Sequence, residues 1–206
     1  MEDVQSRGWG AVAWPLTAVL EASGLMGLRR CGQAGSPPET LRPRSRETAR
    51  AKSLSATYGL GALPLHTDAA HWVNPPRYVA LHCSTGPSST PTLLFPPQNG
   101  LPVPLRDALP QGIFQVGRGT RAFYATAASG SMLRFDPGCM TPLDDDARRV
   151  AAYMRSLAAS AIEFKWEEQG VTLIIDNHRT LHGRAQATDA ASRALARAYL
   201  EEEHRG

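Results

Sequence analysis

Short apolar runs, most of them too brief for a helix, dominate the chain from Ser53 onwards. The clearest is Val171-Thr172-Leu173-Ile174-Ile175, rich in β-branched residues that fit a pleated surface and followed at once by the polar run Asp176-Asn177-His178-Arg179. It reads as a buried strand that leaves the core where the polar residues begin. Residues 77–83, introduced by Pro75-Pro76, and residues 92–95 are further strand candidates. Residues 113–116 and 120–126 flank Gly117-Arg118-Gly119 and read as a hairpin. Residues 53–58 and 131–136 alternate more weakly, and residues 162–166 are expected to pair with 171–175 across the turn 167–170. Residues 193–201 fit a strand or a short helix equally well.

Two stretches look helical. Residues 15–22 start with Pro15, suited to a first helical position, and stop at Gly24. Ala147, Val150, Ala151, Met154, Leu157 and Ala158 fall on one helical stripe. Thr141-Pro142-Leu143-Asp144 ahead of them supplies a cap residue, a proline for the first helical position and acidic residues for the first turn. About eight short strands with one packed helix favour an antiparallel sandwich or barrel-like jelly roll.

With 206 residues the chain has room for one substantial core. The expected organisation is a single domain, 1–206, with an N-terminal helix and an Arg/Pro-rich loop over 1–52 and a mainly β core over 53–201. Within 32–52, Arg42, Arg44, Arg46, Arg50 and Lys52 stand among prolines and small polar residues. This is a solvated loop, or a lid that places a cation over an anionic substrate. Without interleaved aromatics it makes a poor nucleic-acid surface, and a net charge of +3 is too small to imply one. No apolar stretch approaches the ~20 residues of a membrane span, and Glu2 and Asp3 replace the basic start of a secretory signal. The three cysteines are widely spaced, which points to neither a disulfide framework nor a cysteine zinc site. The expectation is a cytoplasmic protein whose partner is a small molecule, not nucleic acid or membrane.

Candidate chemistry sits in two remote places. His66 and Asp68 are two apart, so in extended chain both point to one side and Thr67 to the other. His182, just beyond the long apolar strand and before a glycine that permits a sharp turn, supplies a second imidazole. Two imidazoles and one carboxylate form the ligand set of a non-haem Fe(II) site with open positions. His178 and His182, four apart, would form a zinc pair on a helix, but the surrounding residues read as strand. Arg193 and Arg197 lie 11 and 15 positions past His182 and can share a face. A guanidinium fork holds a carboxylate through paired charge-assisted hydrogen bonds, which suits a dicarboxylic keto acid.

Taken together, His66-Thr67-Asp68, the run Asp176-Asn177-His178-Arg179-Thr180-Leu181-His182-Gly183-Arg184 and Arg193 resemble the Fe(II)/2-oxoglutarate dioxygenases of the taurine dioxygenase and clavaminate synthase-like superfamily, over residues 53–201. The resemblance implies a double-stranded β-helix in which His66, Asp68 and His182 bind Fe(II) and are the catalytic centre. It implies that Thr92 and Arg193 hold the far carboxylate of 2-oxoglutarate and that Arg197 reaches its iron-proximal carboxylate. The segment before Thr92, Gly86-Pro87-Ser88-Ser89-Thr90-Pro91, lacks the family's Gly-Gly-acidic lead, so Thr90 is the alternative to Thr92. The implied activity consumes 2-oxoglutarate and dioxygen and hydroxylates an unactivated C–H of a small polar molecule, such as an amino acid or natural-product intermediate. The competing reading is a non-catalytic jelly-roll module that uses a metal to hold a ligand. Arg134 and Asp136, alternating on one strand, and Trp72 are the substrate-binding candidates, with Tyr78 a further wall of the pocket; Arg179 and Arg184 orient the second motif.

Overall fold

The structure is a computed structural model that describes residues 1–31, 37–96 and 100–203. In chain order its elements are α1 (Glu2–Arg7), β1 (Trp9–Val12), α2 (Leu16–Leu25), β2 (Leu28–Arg30), β3 (Glu39–Leu41), α3 (Leu54–Tyr58), β4 (Leu63–His66), β5 (Tyr78–Cys83) and β6 (Ser88–Phe95). An insertion follows, with α4 (Val103–Ala108), β7 (Ile113–Val116), β8 (Phe123–Thr126), β9 (Ala128–Ser129), β10 (Met132–Leu133), β11 (Met140–Pro142) and α5 (Asp145–Ser156). The chain closes with β12 (Ile162–Trp166), β13 (Thr172–Asp176), β14 (Leu181–Arg184) and β15 (Leu195–Glu202).

The larger sheet runs β1-β13-β5-β15-β2, with β3 also paired to β15, and the smaller runs β12-β6-β14-β4. All these pairings are antiparallel. β4, β5 and β6 alternate between the two sheets, and β12, β13, β14 and β15 do so again, which is the winding of a double-stranded β-helix jelly roll.

Side-chain alternation explains the three packed layers. Between the sheets lie Val79, Leu81, Leu173, Ile175 and Leu195 of the larger one against Leu94 and Trp166 of the smaller. On the outer face of the larger sheet, Tyr78, Ile174 and Leu200 meet Val4, Val19 and Leu28. On the outer face of the smaller, Leu65, Leu93 and Leu181 meet Val150, Ala151 and Met154 of α5. Each such large side chain removed from water contributes about 1.5–3 kcal/mol. All five residues of β13 are buried, with Leu173, Ile174 and Ile175 at its centre, because both of its faces are covered.

Several local expectations change. The first 52 residues supply three strands of the larger sheet, not only a helix and a loop; of the 32–52 segment, residues 32–36 lie outside the described residues. Residues 54–58 are helical, and Leu54 packs toward Gly138. Pro15 is the residue before α2, with ψ of 150°, and the helix passes through Gly24 to Leu25. The cap of α5 is Asp144, whose carboxylate accepts from the Ala147 amide, while Pro142 belongs to β11. Residues 162–166 and 172–176 do not form a hairpin, because β12 pairs with β6 and β13 with β5 and β1. Of 131–136 only Met132–Leu133 is strand, and 195–202 is a strand rather than a helix.

Candidate metal centre and active site

β4 and β14 are neighbours in the smaller sheet, and their register places His66 opposite His182. The two rings lie 4.9 Å apart, centroid to centroid. Asp68 follows β4 and turns its carboxylate between them: Oδ1 is 3.4 Å from His66 Nε2, and Oδ2 is 3.5 Å from His182 Nε2. One donor atom from each of the three residues lies within 4.8 Å of the others. Thr67 faces the opposite way, donating to the Leu133 carbonyl and accepting from the Phe135 amide. His178 stays apart, its Nε2 against the Pro75 carbonyl, and β14 is no helix, so the two histidines do not form a zinc pair.

The backbone around this cluster is fixed from several sides. The Asn177 side chain accepts from the Asp68 amide at 2.8 Å and donates to the carbonyls of Asp68 and Pro76. Ala69 has φ of 54°, a left-handed conformation uncommon for a residue with a Cβ, at the point where the chain turns away. Gly183 sits within β14 rather than at a turn. A Cβ there would lie 2.7 Å from the Leu63 carbonyl oxygen, so the glycine lets β4 close on β14 and bring the two histidines together. Arg184 donates to the carbonyls of Gly59 and Gly61 and thereby holds the turn that feeds β4. Arg179 donates to the Gln5 carbonyl of α1 and lies 4.0 Å from the Asp176 carboxylate of the second motif, while Arg184 bears on the first motif through the turn it holds.

The donor set fits a divalent cation. His66 Nδ1 lies 2.9 Å from the Pro64 carbonyl, which places the proton of the neutral ring there and leaves the Nε2 lone pair facing Asp68. His182 Nδ1 is buried without a hydrogen-bond partner. Burial pulls the imidazolium of His66 down, but Asp68, Asp136 and the Pro64 carbonyl outweigh it and raise the pKa. For His182 burial prevails over Asp68, with the charges of His66 and Arg197 on its side. Burial pushes the Asp68 carboxyl up, yet Arg197 and the two histidines hold it well below the usual carboxylate range.

The larger sheet closes the other side of the site. Arg197 Nη1 lies 3.1 and 3.0 Å from the two Asp68 oxygens, and its Nη2 lies 2.5 Å from Glu39 of β3. Its guanidinium stacks over the Tyr199 ring, 4.8 Å from the centroid. Trp72 meets Tyr199 edge-on at 5.8 Å and is partly exposed. Neither Glu39 nor Tyr199 is among the sequence candidates. The spacing Arg197-x-Tyr199 on one strand face is a signal for the second; nothing local marks the first.

Arg193, just ahead of β15, is 7% exposed, and its Nε has no hydrogen-bond partner. Burial and the neighbouring Arg184 charge lower its pKa to about 10, against Asp189 and Cys83, so it stays protonated at neutral pH. Thr90 donates to Asp189, and Thr92 accepts from Trp166 Nε1 at 3.0 Å while keeping its own proton to donate. A buried guanidinium with an unpaired Nε suits an anion.

Of the substrate-binding candidates, Trp72 borders the site and Asp136 is close enough to raise the pKa of His66. Arg134 does not face the mouth. It is 3% exposed, and its guanidinium donates to the carbonyls of Ala70, Trp72 and Val73, which anchors the loop after Asp68. Tyr78 lies on the outer face of the larger sheet with Val4 and Val19, away from the pocket.

Solved structures of similar fold complete the picture. The crystal structure of the non-heme iron oxygenase OrfP with Fe and α-ketoglutaric acid matches with a TM-score of 0.69 at 23% identity, over 90% of this chain and 64% of that one. A point mutant of OrfP with (3S)-hydroxy-L-Arg gives 0.68 at 24% identity, over 90% and 63%. Asparagine oxygenase with Fe(II), 2S,3S-3-hydroxyasparagine and succinate gives 0.61 at 18% identity, over 91% and 78%. The chain therefore spans less than two thirds of the length of OrfP. No curated protein sequence matches it. The sequence profile of the family described as "Taurine catabolism dioxygenase TauD, TfdA family" matches residues 95–199, just over half of the chain, including His182, Arg193 and Arg197. On that match, with the jelly-roll winding and the His66, Asp68 and His182 cluster beside it, the chain belongs to the TauD/TfdA dioxygenase family.

Proposed function

We propose that the protein is an Fe(II)- and 2-oxoglutarate-dependent oxygenase that hydroxylates a C–H bond of a small polar substrate, an amino acid or a close derivative. The observation that carries this reading is the convergence of His66, Asp68 and His182 from two distant segments into one donor cluster. Similar structures that hold hydroxylated amino acids support the substrate class.

In this reading His66, Asp68 and His182 would hold the iron. Arg193, with Thr92 or Thr90, receives the far carboxylate of 2-oxoglutarate, and Arg197 its near one. When bound, the metal and cosubstrate together with dioxygen supply the oxidising power to insert oxygen into a C–H bond, with succinate and carbon dioxide released. Arg193 fixes the direction in which the keto acid enters, which sets where the substrate must lie. Trp72 and Tyr199 wall the mouth and exclude water. Asp136 offers a negative charge to a cationic group of the substrate. Burial keeps the Tyr199 phenol protonated, so it hydrogen-bonds Asp68 without adding charge. The same reading places the protein in the cytoplasm, where the thiols of Cys31, Cys83 and Cys139 stay reduced. No described helix is long and apolar enough to cross a membrane.

The test is succinate formation from 2-oxoglutarate with Fe(II) and dioxygen, first alone and then with a panel of amino acids. Succinate that disappears in both Asp68→Ala and His182→Ala supports the assignment. Metal binding with no 2-oxoglutarate consumption across the panel leaves the non-catalytic binding module in its place.

A further inference from the structure

Four charged side chains form a continuous chain from the donor cluster to the surface: Asp68, Arg197, Glu39 and Arg50. Arg197 Nη1 bridges both oxygens of Asp68, its Nη2 meets one oxygen of Glu39, and Arg50 lies 3.8 Å from the other. Burial of the three inner side chains falls outward, with 9% exposure for Asp68, 18% for Arg197 and 47% for Glu39. Glu39 is directly opposite Arg197 in the pairing of β3 with β15. The contact is thus set by strand register and not by a wandering surface side chain.

The pair Asp68–Arg197 is in tension with metal binding, which rests on the reading above. A dication held by Asp68 lies within a few ångströms of the Arg197 charge, and both compete for the same carboxylate oxygens. Like charges at such range repel strongly in a site shielded from water. Loading is therefore easiest when the guanidinium is drawn off Asp68. Glu39 is the carboxylate already bonded to its other arm. Arg50, on the far side of Glu39, is 84% exposed and screens it only weakly.

We propose that Glu39 is a positioning residue that draws Arg197 away from Asp68 and so sets the affinity of the donor cluster for its metal. The β3 segment then has a task in metal uptake although it supplies no ligand. Without the Glu39 charge, Arg197 rests wholly on Asp68 and the cation must displace it unaided.

The experiment is titration with Co(II), without 2-oxoglutarate or dioxygen chemistry, followed by the visible absorption of the bound ion. Glu39→Gln is expected to raise the Kd about tenfold, the scale on which groups just behind metal ligands act. The double variant Glu39→Gln with Arg197→Met is expected to bind at least as tightly as the unaltered protein, because the competing charge is gone. A merely structural role for Glu39 predicts no such rescue. Equal affinity of Glu39→Gln and the unaltered protein overturns the proposal, as does a double variant as weak as the single one. If the unaltered protein itself takes up no Co(II), the metal assignment falls with it; if it binds and Glu39→Gln is unchanged, only the role of Glu39 falls.

Discussion

Asn177 and Asp68 are locked by a reciprocal pair of hydrogen bonds, with the Asn177 Oδ1 accepting from the Asp68 amide at 2.8 Å and its Nδ2 donating to the Asp68 carbonyl at 3.1 Å. Both residues are buried, so the amide left behind by Asn177→Ala finds no water. An unsatisfied buried donor costs about 1–3 kcal/mol. Asn177→Ala is expected to lower the unfolding free energy by that amount and to weaken metal binding about 10–100-fold, since the carboxylate loses its anchor. Calorimetry of metal binding beside urea unfolding separates the two effects; unchanged metal affinity in a folded variant contradicts the anchoring role.

Gly183→Ala tests the close approach of β14 to β4. The added methyl meets the Leu63 and Pro64 carbonyl oxygens at 2.7 and 3.0 Å, both of them backbone atoms that cannot rotate aside. Overpacking of this kind costs about 1–3 kcal/mol. The thermal midpoint should fall, and metal-dependent stabilisation should shrink with it, because His66 is pushed away from His182. A variant with the same midpoint and the same metal response removes this account of the glycine.

Arg134→Met keeps the bulk of the side chain and removes three hydrogen bonds to the carbonyls of Ala70, Trp72 and Val73. A loss of about 2 kcal/mol or more is expected, read by urea unfolding. Protease cleavage should appear in the 70–76 loop. If Arg134 instead serves the substrate, stability stays put and only the KM of the turnover assay rises.

Asp189 provides a pH signature. Partial burial pushes its carboxyl up, but the Thr90 and Ser88 hydroxyls and the Ser89 amide outweigh this and lower the pKa. A folded pKa below the unfolded one means the stabilisation is complete above about pH 4. It is lost as the pH falls through the folded value. Asp189→Asn should therefore reduce stability at neutral pH and flatten the acid limb of a plot of unfolding midpoint against pH. An acid limb of unchanged slope rules the contribution out.

The metal donors were legible because the pleat itself encodes them: His66 and Asp68 are two apart beside an apolar strand, and His182 follows the apolar run 171–175. Arg193 and Arg197 stand out by chemistry and spacing, and the fold buries the first and sets the second against Asp68. The charge of Arg134 suggests a site from sequence, whereas its partners in the fold are three backbone carbonyls brought in by the loop after β4, 60 or more residues away. Glu39 carried no local sign, since only the pairing of β3 with β15 gives it meaning. The supposed hairpin of residues 162–175 failed for a related reason: adjacency in sequence says nothing about which sheet a strand joins when the winding alternates.

That winding also dictates an order of assembly. Trp9 of β1 pairs with Ile175 of β13, and Leu28 of β2 with Glu202 of β15. β1 and β2 therefore wait for β13 and β15, far along the chain, before they find partners. Closing such long loops is slow, and unpaired strand edges invite association between molecules meanwhile. Refolding yield should accordingly fall with protein concentration more steeply than native stability alone would predict.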